Sequence, residues 1–107
     1  MTKYLGLLRL SAKEAERMIS DGVTARREFV ELIVRNIGGT VDGFWLTNVG
    51  DWDVACLVTM ADRSPAAGAA ATIARRASGY TTFERWIELA ETDDVALALD
   101  EMSAAPT

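Results

Sequence analysis

The sequence predicts an α+β fold with one four-stranded antiparallel sheet and helices on one of its faces. Three observations predict it. Stretches of strand-like composition and stretches of helical period follow one another in the order strand, helix, strand, strand, helix, strand, helix. Helix start and stop residues bracket the helical stretches at Ser11, Gly22, Ser64 and Gly79. The two middle strands are joined by a short Gly-Asp turn, which makes them a hairpin.

Each element has a local reason. Tyr4 to Leu10 is short and leucine-rich and reads as the first strand. Ser11, Ala12, Lys13 and Glu14 form a capping box: the serine hydroxyl accepts from the third helical N–H and the glutamate reaches back. Ala12, Ala15, Met18 and Ile19 give that helix an apolar stripe, and Asp21-Gly22 ends it. Thr24 is placed to cap a second run over 25–37, where Phe29, Val30, Ile33, Val34 and Ile37 recur at helical spacing. Gly38-Gly39 stops that run. Thr40 to Asn48 is the second strand, Gly50 to Asp53 a turn, and Val54 to Met60 the third strand.

Ser64-Pro65 opens the next helix, with serine at the cap and proline at the first helical position. Its alanines predict close packing on the sheet, and Gly79 ends it. Tyr80 to Leu89 is the fourth strand. A last helix runs from Thr92 to about Met102, with Asp93 and Asp94 set well against the helix dipole. Residues 103–107 are expected to fray. Two right-handed β-α-β crossovers joined by a hairpin make a ferredoxin-like βαββαβ domain spanning 1–107, with an extra C-terminal helix.

A sheet with one solvated face should alternate apolar and polar residues. The third strand does not: Val54, Cys56, Val58 and Met60 share one face, and Ala55 and Leu57 occupy the other. Leu5 and Leu7 oppose Leu8 and Leu10 in the first strand, and Phe44 and Trp45 point to opposite faces in the second. The last helix would cover only part of the second face. The expectation is therefore a homodimer packed sheet on sheet.

Composition narrows the functions. The 107 residues are 50% apolar and carry 16 acidic against 11 basic side chains, a net charge of −5. That balance argues against a nucleic-acid binder, which needs a basic face. No run approaches the roughly 18 apolar residues of a membrane span, and the opening segment is too short for a signal peptide. The single cysteine, Cys56, cannot form an intrachain disulfide and favours a reducing compartment, so the expected location is cytoplasmic. The chain has no histidine, which removes His-based acid/base catalysis and the usual haem and transition-metal ligands. No metal or cofactor is expected.

Several motifs together resemble the GYD domain family, near the dimeric α+β barrel proteins. Gly50, Asp51, Trp52 and Asp53 resemble the name-giving motif, with Trp where the family usually has Tyr. Ala25, Arg26, Arg27 and Glu28 resemble its helix motif, and Gly38-Gly39-Thr40-Val41 with Phe44-Trp45-Leu46 its glycine pair and aromatic strand. The similarity spans about Thr2 to Leu89. It implies a dimeric α+β barrel, a superfamily that includes cofactor-independent monooxygenases, isomerases and cyclases as well as haem enzymes.

The residues themselves offer a few constellations. Asp51, Trp52 and Asp53 are either a ligand rim or a turn in which Gly50 supplies positive φ and the aspartates bond nearby backbone. Arg26 is the inward arginine of its helix, either paired with Asp51 or Asp53 or holding an anion. Trp45, Trp52 and Trp86 either line an apolar pocket between sheet and helices or pack the core and an interface. Glu84, Trp86 and Glu88 share one face of the fourth strand, and a buried Glu84 would suit a general base. Cys56 reads as an inert core residue.

Three functional readings follow. The first is a homodimer that binds a small apolar or aromatic metabolite through Arg26, Trp45, Asp51, Trp52, Asp53 and Trp86. The second is a cofactor-free isomerase, cyclase or monooxygenase with Glu84 or Asp53 as base and Arg26 stabilising an oxyanion. The third is an assembly or regulatory partner without a pocket.

Overall fold

The computed structural model describes residues 1–48 and 50–104. The elements run β1 (Thr2–Leu10), α1 (Ala12–Asp21), α2 (Val23–Asn36), β2 (Gly39–Leu46), β3 (Val54–Met60), α3 (Pro65–Ala77), β4 (Thr81–Leu89) and α4 (Thr92–Ala104). The four strands form one antiparallel sheet in the order β2-β3-β1-β4. This is an α+β fold of ferredoxin-like arrangement. Among the described residues, no helix is long and apolar enough to cross a membrane.

The helix signals act as the sequence implies, with exceptions. The Ser11 hydroxyl accepts from the Glu14 N–H at 3.0 Å and Ser64 caps α3 in the same way through Ala67. Gly22, at φ +95°, separates α1 from α2. Thr24 is not the cap of α2: the helix begins two residues earlier, at Val23, with Gly22 at its N-cap and no side-chain bond there. Ser103 and Ala104 continue α4 instead of fraying; residues 105–107 lie outside the described residues.

The helix side of the sheet holds the core. Leu8, Val54, Cys56, Val58 and Met60 are buried there, with Met18 from α1 and Val34 from α2 packed on them. The α1 stripe differs in phase from its sequence reading. Glu14 and Met18 point inward, and Ile19 is 86% exposed. The α3 prediction is also corrected: of its residues only Ala71 is buried, and the helix stands off the sheet. Alanine methyls are too short to bridge the layer spacing, so a helix made of them touches little.

Two tryptophans lie flat over glycines, one on each side of the sheet. On the helix side Trp86 of β4 is paired directly with Gly6 of β1, and a Cβ at Gly6 would overlap the indole and the Cys56 sulfur. On the other side the Trp45 ring covers Gly43, where the β2–β3 register shifts between Val41 and Gly43. Gly6→Ala is expected to destabilise the fold by about 1–3 kcal/mol through this overlap. Urea denaturation with near-ultraviolet dichroism should show both the loss and a displaced indole.

Candidate functional site

Because α3 stands off, a cleft of about 740 Å³ opens between the sheet, α2 and α3. Its floor is the helix side of the sheet, with Tyr4, Leu8, Val58, Met60 and Trp86. Val30, Ile33 and Ile37 of α2 form one wall. Gly68, Ala71, Ala74 and Arg75 of α3 form the other. The size falls within the range typical of small-molecule sites, about 300–1,000 Å³.

Polar residues also line the cleft, among them Asp62, Arg63, Thr72, Arg75, Tyr80 and Glu84. Arg75 Nε donates to Glu84 Oε1 at 2.9 Å, joining α3 to β4, and the guanidinium lies 5.6 Å from the centre of the Trp86 ring. The Arg75 Nη2 also donates to the Thr72 hydroxyl at 3.2 Å. The Tyr80 hydroxyl and the Trp86 indole N–H are buried and meet no hydrogen-bond partner among the described residues. Each such orphan costs about 1–3 kcal/mol.

Next to Tyr80 lies a buried ion pair that the sequence reading missed. Glu14 is fully buried, and Arg26 clasps it with two bonds, Nε to Oε2 at 2.8 Å and Nη2 to Oε1 at 2.6 Å. Arg17 adds a second cation at 3.6 Å. The guanidinium of Arg26 also lies over the Phe29 ring at 4.4 Å. The bond to Glu14 and its charge hold Arg26 firmly protonated, with its pKa raised despite burial. Arg26 is therefore committed to Glu14 and not to Asp51 or Asp53. Glu14 does not close the capping box either: the Ser11 N–H donates to the Tyr80 carbonyl at 3.0 Å, and the Glu14 carboxylate turns inward. The available signal was the spacing of Glu14 and Met18, one helical turn apart on one face.

The other sequence candidates divide between locations. Glu84 and Trp86 line the cleft. Trp45 and Trp52 lie on the opposite, open face of the sheet, where Trp52 stacks on Phe83 with ring centres 5.5 Å apart. Asp51 and Asp53 tie the β2–β3 turn to the end of β1. Asp53 Oδ2 accepts from the Leu10 N–H at 2.9 Å, and Asp51 faces Arg9 at 3.5 Å. Gly50 supplies the positive φ, +81°. Neither alternative base of the enzymatic reading, Glu84 or Asp53, is paired with Arg26, which is bound to Glu14. Among the described residues, no three cysteine, aspartate or glutamate side chains gather to hold a metal ion.

Comparison with protein-family models, curated proteins and solved structures finds no match to this chain.

Two predictions arise from the buried groups. Glu14→Ala strands the Arg26 charge in a nearly closed site and should cost about 3–5 kcal/mol, whereas replacing both residues by methionine should cost much less. Chemical denaturation of the three proteins measures the difference. The second prediction concerns alkaline pH. Burial pushes the Cys56 thiol from 9.0 up to about 11, and burial together with the Glu14 carboxylate raises the Tyr80 phenol above its ordinary 10.0. Both groups fold as neutral acids, so their stabilisation is complete below those ordinary values and is lost as pH climbs through the folded ones. The urea midpoint should fall as pH rises from 9.0 toward 11, and less steeply in Cys56→Ala.

Proposed function

We propose that this protein binds a small apolar or aromatic molecule in the cleft between sheet and helices, and that it works as a homodimer. The carrying observation is the 740 Å³ apolar cleft floored by Trp86. Two details support the reading. The Tyr80 and Trp86 donors lie on cleft residues and have no acceptor, so a ligand oxygen that drew either ring toward the cleft would satisfy it. Arg75, paired through Nε with Glu84, still presents its guanidinium beside the indole as a hydrogen-bond donor for a polar ligand group. The homodimer rests on the apolar open face of the sheet, where Trp45 and Phe83 are more than half exposed. The resemblance to GYD proteins implies a dimer. The single thiol, reduced and buried, suits a cytoplasmic protein.

A second reading, a cofactor-free enzyme, has Glu84 in its favour. The carboxylate sits in the cleft wall with its side chain 17% exposed. In this reading Glu84 is the base, and its ion pair with Arg75 must open for the carboxylate to take a proton and the guanidinium to meet the developing charge; Arg26 is bound to Glu14.

Gly68→Leu tests the cleft. A Cβ at Gly68 meets nothing within 4 Å, and leucine suits a helix better than glycine, so the variant should fold at least as stably as the parent. Its side chain should fill the cleft and weaken binding of the fluorescent probe anilinonaphthalene sulfonate by about tenfold or more. Trp45→Ser, on the open face, should leave that binding unchanged. Equal binding by the Gly68→Leu protein overturns the cleft as the site.

A further inference from the structure

Two surfaces of this chain have no partner within it. One is the open face of the sheet. Leu5, Leu7 and Leu57 lie half-buried at its centre, and Trp45 and Phe83 are 55% and 59% exposed. The other is α4, none of whose residues is buried. Val95, Leu99 and Met102 recur at helical spacing along one side of α4, and Met102 is 72% exposed.

The two surfaces carry opposite charge. α4 contains Asp93, Asp94, Asp100 and Glu101 and no lysine or arginine. Lys3, Arg9 and Arg85 stand on the open face, at alternate positions of β1 and on β4 opposite Leu7. Arg9 is paired with Asp51 and Lys3 with Glu91, and Asp42 on β2 accepts from the hydroxyls of Thr40 and Thr59, so Arg85 is the cation of this face without an ion pair among the described residues. An acidic, apolar-striped helix and a basic-rimmed, apolar sheet face complement each other.

Within one chain, among the described residues, α4 reaches only the edge of that face, where Asp94 lines a shallow hollow with Lys3, Thr59 and Leu89. Only Ala90 and Glu91 join β4 to α4, and Glu91 is held by Lys3 at 3.3 Å. The molecule reaches 60 Å along its longest axis, and its radius of gyration is 16.8 Å. A compact chain of this length has a radius near 13 Å.

We infer that α4 is an exchanged arm that lies across the open sheet face of a second copy of this chain. The inference rests on the homodimer proposed above and states what builds it. A thirteen-residue helix is about 20 Å long. The nine-residue strands β1 and β4 are about 30 Å long, so the face accommodates it. Two-fold symmetry makes the contact reciprocal: each copy gives one arm and receives one. Val95, Leu99 and Met102 then cover the leucines of β1 and β3, while the α4 carboxylates face Arg85.

The test uses the full chain with a photoreactive amino acid in place of Leu99, mixing isotopically light and heavy protein before irradiation. Crosslinks joining a light to a heavy chain, landing on β1 or β4 near Leu7 or Ile87, are expected. Sedimentation should give a dimer that Arg85→Glu weakens by about tenfold or more, and that Asp94→Lys with Glu101→Lys partly restores in the Arg85→Glu protein. Crosslinks confined to single chains mean that α4 folds back on its own sheet and overturn the arm. A dimer indifferent to Arg85→Glu, with Leu99 uncrosslinked to the partner, also overturns the arm but leaves the homodimer standing. A monomer at micromolar concentration overturns both, and leaves the cleft as a binding site untouched.

Discussion

The sheet is apolar on both faces, and the described helices cover only one of them. Val54, Cys56, Val58 and Met60 face the helices, while Ala55 and Leu57 face away between Leu5, Leu7 and Trp45. An antiparallel sheet that served only as a one-sided scaffold would place polar residues on the second face. Here α1 and α2 close one half of the helix side, α3 only overhangs the other half, and no helix among the described residues covers the open side. The two functional proposals belong to these two incompletely covered surfaces.

The helices are fastened to the sheet by polar contacts at their ends as much as by packing. Ser11 links the start of α1 to the end of α3, with its N–H donating to the Tyr80 carbonyl and its hydroxyl to the Gly79 carbonyl at 2.6 Å. Glu14 and Arg26 bind α1 to α2 across the turn at Gly22. Arg75 and Glu84 bind α3 to β4. Such bonds fix where a helix lies without filling the space beneath it. A helix held this way, with one buried residue, belongs to the low-stability end of a fold, where elements that admit ligands are found.

The order of elements was legible because each strand and helix carries its own period and its own stop. The bounds of β3 and the Ser64-Pro65 start of α3 follow directly from residues whose conformational preferences leave few alternatives. The phase of α1 was not legible. A buried carboxylate breaks the apolar stripe, and only its arginine partner, on another helix, makes the burial affordable. The faces of the tryptophans were only half legible. Trp86 shares the cleft side with Glu84, as alternation along β4 requires. Trp45 lies beyond the β2 register shift and Trp52 beyond the strand end, where alternation alone does not assign a side.

The two outer helices show how side-chain size separates space from contact. α3 has alanine at most of its positions, a serine cap and a proline start, so its helical conformation draws on intrinsic propensity and capping more than on burial. It can therefore form a wall without sending side chains into the cleft, and Gly68, Ala71 and Ala74 keep that side low. α4 also has good helix formers, but Val95, Leu99 and Met102 are bulky, aligned and in water. Exposing such side chains forgoes about 1.5–3 kcal/mol apiece relative to burying them, and α4 gains nothing from its own chain in return. A helix of small residues beside a hollow fits a wall that must leave room. A helix of large residues beside nothing fits a surface that must touch something, and the basic-rimmed sheet of a second copy has the matching shape and charge.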